Sequence, residues 1–172
     1  MALSDFTSNL TAAINFLAKH SNGDGFTEAQ YPENYSKTQS FTFGTASWQA
    51  NQVYAATRSV DIAANDDIDL SGVLTNWAGE TILFTAIKKI LIFNRSTRDG
   101  NNLIFGGGPL NTILSDFGAS SALANTAYAE GVWERSMPHT GYTVSGGSAD
   151  VFRVHNNGTT AIDYDILIIG VG

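Results

Sequence analysis

The chain has 172 residues with 16 acidic and 9 basic side chains, which gives a formal net charge of −7 at pH 7. This acidic balance argues against a protein that coats DNA or an anionic membrane. The absence of cysteine excludes disulfides, thiolate metal sites and cysteine nucleophiles.

The length suits one domain, or one domain with an appendage. Charged residues make up 15% of the chain, less than is usual in globular domains, and Gly, Ser, Thr and Asn fill many polar positions. Such a composition is common in all-β extracellular or particle-forming proteins. The first 25 residues lack a basic start and a continuous apolar run, so we expect neither a secretory signal nor a membrane span.

The first segment has the spacing of an amphipathic helix. Ser4 is a candidate N-cap, Asp5 suits the positive end of the helix dipole, and the glycine-containing stretch after His20 would end the helix. We expect this helix to pack on its own domain or to dock on a neighbouring subunit. Its apolar stripe consists of Leu3, Phe6, Leu10, Ala13, Ile14 and Leu17.

Residues 21–52 are polar, mix aromatic with turn residues, and show little periodicity. More than 20 irregular residues are unusual inside a compact domain, whereas an arm held by a partner can be that long. The sequence therefore predicts an N-terminal helix and extended arm over residues 1–52, followed by a β-sandwich domain over residues 53–172.

From residue 53 onward, short β-capable segments alternate with turn residues. Later strands are predicted at 130–136, 140–145, 149–155 and 160–169, separated by the turn stretches MPH, GGS and NNG. About eight strands without alternating long helices predict an all-β fold, an antiparallel β-sandwich of jelly-roll type. Residues 109–129 are predicted to contain a short helix or an excursion between strands.

The stretch TILFTAIKKILIF, residues 81–93, is rich in β-branched residues, which favour a strand. The polar stretch after it contains Asp99-Gly100, a strong turn signal. The sequence therefore predicts a hairpin in which NLIFGG is the partner strand.

This predicted hairpin ends in three consecutive glycines, Gly106, Gly107 and Gly108. A phosphate-binding loop needs glycines followed by a helix, usually with a lysine and a Ser or Thr. Pro109-Leu110 follows here, no lysine is near, and no GxGxxG pattern exists. We therefore expect a structural role for the glycines rather than nucleotide binding.

The densest acidic residues, Asp66, Asp67 and Asp69, are weak candidates for a calcium site. They lack the glycine and the distal glutamate of an EF-hand loop. Strand alternation also places Asp67 and Asp69 on one face, opposite Ile68 and Leu70. The pattern favours a solvated strand edge, and we expect neither a metal nor another cofactor.

No catalytic motif is evident. His20, His139 and His155 lie in different segments, and no nucleophile elbow frames a Ser–His–Asp set. A carboxylate pair such as Glu130 and Glu134 is compatible with a glycosidase, because distance in space cannot be read from sequence. We expect a non-enzymatic protein, and the alternative is a carbohydrate-binding β-sandwich for host attachment. Aromatic residues that could stack on sugars or fill the core are Trp48, Trp77, Trp133 and Tyr142.

Four of the nine basic residues lie within eleven positions: Lys88, Lys89, Arg95 and Arg98. On an acidic chain this cluster predicts a small basic patch at one strand pair and its loop. The patch is either a solvated hairpin tip or a surface that docks on an acidic neighbour, including another copy of the chain.

Several short motifs follow one another between residues 60 and 172. They are Asp69-Leu70-Ser71-Gly72, then the spaced set Gly79, Phe84, Ile87 and Lys88, an apolar strand ending at Asn94 with Ser96-Thr97, Gly141-Tyr142 with Val144, and Tyr164-Asp165-Ile166. In this order they resemble a family of small β-rich structural proteins of tailed-phage particles. The stretch EGVWERS departs from that pattern, which has Pro-Gly-Gly before an apolar strand.

The resemblance implies a virion component without enzymatic activity, either a head decoration or cement protein or a tail or fibre attachment protein. We favour capsid decoration. Expected partners are further copies of the chain, as a trimer, and other virion proteins such as the major capsid protein. Neither nucleic acid nor membrane is expected as a partner.

Overall fold

The computed structural model describes residues 7–21, 28–76, 78–105, 111–112 and 125–172. Every regular element within these ranges is a β-strand. The strands are β1 (Thr7–Ser21), β2 (Glu28–Phe43), β3 (Gln49–Ala50), β4 (Gln52–Val60), β5 (Asn65–Asp69), β6 (Leu74–Thr75), β7 (Thr81–Ile82), β8 (Ala86–Asn94), β9 (Leu103–Phe105), β10 (Asn111–Thr112), β11 (Asn125–Ala127), β12 (Val132–Ser136), β13 (Tyr142–Thr143), β14 (Ala149–Asn156) and β15 (Ile162–Val171).

Two antiparallel sheets face each other. The front sheet has the strand order β12-β8-β15-β4. The short β13 pairs with the first two residues of β8, before the part of β8 that pairs with β12. In the back sheet β14 lies between β5 and β9, β9 pairs with β11, and β10 adds a short parallel pair to β14. The predicted all-β, antiparallel fold is confirmed.

Alternating apolar side chains fill the space between the sheets. Along β15, Ile162, Tyr164, Ile166 and Ile168 are buried, while the residues between them are more exposed. From the back sheet, Phe152 and other apolar residues complete the same core cluster. Each fully buried large apolar side chain stabilises the fold by about 1.5–3 kcal/mol, so this period-two pattern holds the sandwich together.

The predicted hairpin between residues 81 and 107 is wrong. Strand β8 belongs to the front sheet and pairs with β12, β13 and β15, whereas β9 belongs to the back sheet and pairs with β11 and β14. The Asp99-Gly100 turn therefore lies in a connection that crosses from one sheet to the other. A turn signal indicates a reversal of the chain, but it does not say which strand will be the partner.

The predicted N-terminal helix is also corrected. Residues Thr7–Ser21 form β1, which pairs antiparallel with β2 from Thr7↔Thr42 to Ser21↔Glu28. Of the predicted stripe, Leu10, Ala13, Ile14 and Leu17 lie in β1, and Leu3 and Phe6 lie outside the described residues. The spacing of apolar residues indicates only the local preference of a segment for helix or strand. Here the backbone groups that face between β1 and β2 are satisfied by pairing of the two strands, which the spacing does not reveal.

The predicted irregular arm over residues 21–52 is largely a strand as well. β2 spans Glu28–Phe43, and together with β1 it forms a two-stranded ribbon, called the ribbon below. Two residues of β3 pair in parallel with the end of β2 and lead into β4. Within residues 109–129, the structure describes 111–112, which form β10, and 125–129, which include β11. The rest of the segment predicted to hold a short helix or an excursion lies outside the described residues, as does the glycine run 106–108.

Gly141 is required by a close backbone contact beside β8. Its φ is +80°, and an added Cβ would lie 3.0 Å from the carbonyl oxygen of Ile87. We expect Gly141→Ala to lower the free energy of unfolding by about 2 kcal/mol or more, because it combines left-handed strain with a clash. Gly147→Ala is the matched control, since Gly147 has a φ of +73° and nothing within 4 Å. Equal urea midpoints for the two variants would show that the contact is unimportant.

Candidate functional site

The ribbon joins the sandwich at a bulge in the front sheet. Ile169 of β15 pairs with Lys89, but Gly170 pairs with Ile87, so Lys88 is the extra residue of β8. A bulge changes the alternation of side chains along a strand. As a result both Lys88 and Lys89, which are neighbours in sequence, are only 2% exposed.

The Lys89 ammonium connects the ribbon to the sandwich. Its Nζ lies 2.5 Å from Oε1 of Gln39 on β2 and 2.7 Å from Oε1 of Glu134 on β12. Ser136 donates a further hydrogen bond to the same Gln39 oxygen. A buried ammonium needs such partners to offset the loss of water, so Gln39 and Glu134 position the base of the ribbon.

Lys88, the extra residue of the bulge, is held by a different partner. Its Nζ donates to the backbone oxygen of His139 at 2.7 Å. Burial lowers the pKa of the Lys88 ammonium. This lysine therefore fixes the turn between β12 and β13 and is not a surface charge.

An apolar cluster completes the joint between ribbon and sandwich. Phe41 and Ala50 pack with Ile169, and the partly buried Leu167 lies against them. Trp48 lies beside Phe41 and meets the ring of His139 edge-on, with the ring centroids 5.3 Å apart. The ribbon is thus anchored at the Phe41 end by apolar packing as well as by Lys89.

Beyond this anchor, β1 has one free edge. The strand order of the ribbon sheet is β1-β2-β3, and among the strands that the structure describes none pairs with the outer edge of β1. The pairing of β1 with β2 covers fifteen residues, a length of about 50 Å at the usual rise per residue. An unpaired edge of this length is a template for pairing with another chain.

The predicted basic patch is divided by the fold. Lys88 and Lys89 are buried at the joint, whereas Arg95 and Arg98 are exposed on the connection that follows β8. The four residues do not form one docking surface. Burial could not be read from their spacing, because the partners of the lysines lie on segments remote in sequence: Gln39 on β2, Glu134 on β12 and the backbone of His139.

Arg95 and Arg98 instead line a polar cavity of about 520 Å³, called the loop pocket below. It lies between the β8–β9 connection and the β14–β15 connection, at the end of the sandwich where these loops meet. Its lining residues are Arg95, Ser96, Thr97, Arg98, Asn101, Thr160, Ala161 and Asp163.

Asp66 belongs to a polar cluster that ties β4, β5 and β15 together. Arg58 donates two hydrogen bonds of 2.6 Å to its carboxylate, and the buried Tyr164 hydroxyl donates a third at 2.6 Å. Burial alone would raise the pKa of Asp66, but the hydrogen bonds from Arg58 and Tyr164 lower it below its ordinary value. Burial and the bond to Asp66 raise the pKa of Tyr164. This carboxylate stabilises the fold in its charged form.

The other two acids of the candidate calcium site have bonding partners of their own. Asp67 pairs with Arg153 at 2.6 Å, and Asp69 accepts hydrogen bonds from Ser71. The described part of the chain contains no group of three or more His, Cys, Asp or Glu side chains that could hold a metal. Each acid already has a partner, so the candidate set is not brought together.

The catalytic candidates are also separated. Glu130 lies in a turn with a φ of +57°, and Glu134 on β12 pairs with Lys89. Ser47 Oγ is 2.8 Å from Nδ1 of His139, but no carboxylate contacts that histidine within the described ranges. A nucleophile and base need a third group to orient the base, which this pair lacks.

Of the four candidate aromatic residues, two are buried. Trp133 is 8% exposed and its ring packs against those of Phe105 and Phe152, and Tyr142 is 6% exposed. Trp48 is partly exposed at the joint, and Trp77 lies outside the described residues. A sugar platform at Trp133 is therefore wrong, because the ring fills the core.

Gln39 and Thr160 have roles that sequence reasoning missed. Gln39 accepts from the buried Lys89, and Thr160 lines the loop pocket. Neither lies in a charged run or a motif. The only available signal was the adjacent pair Lys88-Lys89 in an apolar strand, which predicts that buried partners must exist.

Comparison of the chain with protein-family models, curated proteins and solved structures finds no match. Within the described ranges, no helix long and apolar enough to cross a membrane is present.

Proposed function

We propose that the protein is a non-enzymatic structural component of a tailed-phage particle, which self-associates and docks on neighbouring subunits through its ribbon. Capsid decoration or cement is the role we favour, with a trimer of this chain and the major capsid protein as partners. The outer edge of β1, with which no described strand pairs, is the observation that carries this proposal.

The ribbon consists of two paired strands over most of its length. An isolated two-stranded ribbon is only marginally stable in water. At its base, Gln39 and Phe41 contact the sandwich. Pairing of the open β1 edge with a neighbouring subunit would satisfy its backbone groups and bury the ribbon.

The strand order supports the finer fold prediction, a jelly roll. Among the eight main sandwich strands, the first pairs with the eighth, the second with the seventh, the third with the sixth and the fourth with the fifth: β4–β15, β5–β14, β8–β12 and β9–β11. One long hairpin rolled into two sheets has this order. Viral capsid proteins and lectins both use jelly rolls, so the order favours a particle or recognition role without choosing between them.

The motif residues that suggest the phage family have structural roles in this chain. Asn94 is fully buried and donates to the backbone oxygens of Asn101 and Ala127. Lys88 fixes a turn, Gly141 allows a close contact, and Tyr164 bonds Asp66. The resemblance thus supports a shared scaffold, while the ribbon supports the docking role.

Deletion of residues 2–37 tests the role of the ribbon. The full-length chain is expected to run as a stable oligomer in light scattering coupled to size exclusion, and the truncated chain as a folded monomer. The sandwich should survive, because its main core cluster contains no ribbon residue among those whose side chains the structure describes, and circular dichroism checks this. Val73→Ser is the control, since Val73 is 69% exposed elsewhere. The proposal would be refuted by a full-length chain that is monomeric. It would also be refuted by a folded truncated chain with the same number of subunits as the full-length chain.

A further inference from the structure

We propose that the loop pocket binds a carboxylated sugar, such as a hexuronic acid residue of a glycan. This inference goes beyond docking through the ribbon and rests on different residues. It is carried by a rigid polar floor, a basic rim with an unpaired arginine, and one carboxylate in the same cavity.

The floor of the loop pocket is organised by buried asparagine. Asn101 is 1% exposed and donates to the hydroxyls of Ser96 and Thr160 at 3.0 and 2.7 Å, while its oxygen accepts from the backbone of Thr159. Asn94 holds the same loop by accepting from the backbone of Ser96. These bonds link both connections, so the cavity is formed before a ligand arrives.

The hydroxyls of the floor can donate to an acceptor in the pocket. Ser96 Oγ and Thr160 Oγ1 each accept a hydrogen bond from Asn101, and no described contact uses their own protons. The Thr97 hydroxyl has no partner among the described residues. A carboxylate is an acceptor only, so it matches protons offered in this way.

The rim supplies positive charge. Arg98 is exposed, and its guanidinium forms no hydrogen bond or ion pair with another described side chain. Arg95 is half-exposed and lies 3.4 Å from Asp165, longer than the usual 2.7–2.9 Å of a strong charged hydrogen bond. That Asp165 oxygen already accepts from Thr57 at 2.6 Å. Arg98 is therefore available for the planar, two-bond recognition of a carboxylate, and Arg95, whose contact with Asp165 is long, can contribute a second guanidinium.

Asp163 distinguishes a sugar acid from a simple anion. Its carboxylate is exposed in the same cavity and would repel sulfate or phosphate. The hydroxyls of a sugar can donate to it while the sugar carboxylate faces the arginines. The cavity volume of about 520 Å³ falls within the range of small-molecule sites and can hold one or two sugar rings.

Ligand-observed NMR titrations of the full chain with glucuronate, glucose and sulfate test this inference. Glucuronate is expected to bind at least about tenfold more tightly than glucose or sulfate, since only it engages both the arginines and Asp163. Equal binding of glucuronate and sulfate would mean a general anion site and would overturn the proposal. The absence of glucuronate binding at millimolar concentration would overturn it as well.

Two substitutions locate the ligand in the loop pocket. Arg98→Ala is expected to weaken glucuronate binding about tenfold or more, whereas Arg135→Ala, an exposed arginine on β12, should leave it unchanged. Asp163→Asn should weaken glucuronate binding but strengthen any residual sulfate binding. An Arg98→Ala variant with unchanged glucuronate affinity, or an Asp163→Asn variant that binds glucuronate more tightly, would contradict the assignment.

Discussion

Replacing Trp133 by alanine is expected to destabilise the protein by about 3–5 kcal/mol, the usual cost of removing a large buried aromatic side chain. The ring centroid of Trp133 lies 4.6 Å from that of Phe105 and 5.9 Å from that of Phe152, which joins the front sheet to the back sheet. Alanine would leave a cavity at this contact. Urea unfolding followed by circular dichroism measures the loss.

Val132→Ala is the matched control for Trp133. Val132 is the preceding residue of β12 but is 60% exposed, so its replacement is expected to change stability by no more than about 0.5 kcal/mol. Trp133→Phe should fall between the two, because it retains an aromatic contact. A Trp133→Ala variant as stable as the control would mean that the two sheets do not meet at this ring.

The second large effect is expected at Asp66. Asp66→Asn removes the charge that Arg58 and Tyr164 both face, and we expect a loss of about 2–3 kcal/mol at neutral pH. This is below the 3–5 kcal/mol typical of a fully buried pair, because the Arg58 side chain is 30% exposed and solvent screens part of the interaction. Asp67→Asn, which breaks the more exposed pair with Arg153, should cost less than about 1 kcal/mol.

The effect of Asp66 should depend on pH with a defined sign. The pKa of Asp66 is lowered in the folded protein, so its charged form contributes stability in full above the unfolded-state pKa of about 3.9. That contribution disappears as the pH falls through the lower folded-state pKa. The stability difference between wild type and Asp66→Asn should therefore be constant near neutral pH and shrink on acidification. A difference that grows below pH 4 would contradict this assignment.

The sequence predicted the strands of the sandwich well because their signals are local. β-Branched residues, period-two burial and glycine-containing turns mark β8, β14 and β15, and strands lie at or near the predicted positions. The pairing of these strands was not predictable in the same way. Which strand lies beside β8 depends on how the chain crosses between the sheets, and this is decided by packing of residues far apart in sequence.

The same difference between local signals and long-range contacts applies to the candidate site. The sequence alone predicted that Arg95 and Arg98 share one polar loop, and it excluded cysteine chemistry and a phosphate-binding glycine loop. It also showed the cluster of acids around Asp66 but not the partners of Asp66, which are Arg58 and Tyr164. Ion pairs across strands join residues that are adjacent only after folding.

The sequence by itself determined that this chain is a β-rich, acidic protein with turn-separated strands from residue 53 onward, because composition and two-residue periodicity are properties of the chain alone. Only the tertiary structure decided that the first segment is a strand, that Lys88 and Lys89 are buried, and that two distant loops enclose one polar cavity. Each of these depends on a partner segment remote in sequence: β2 for β1, the ribbon base and a bulge for the lysines, and Asn101 with Thr160 for the cavity.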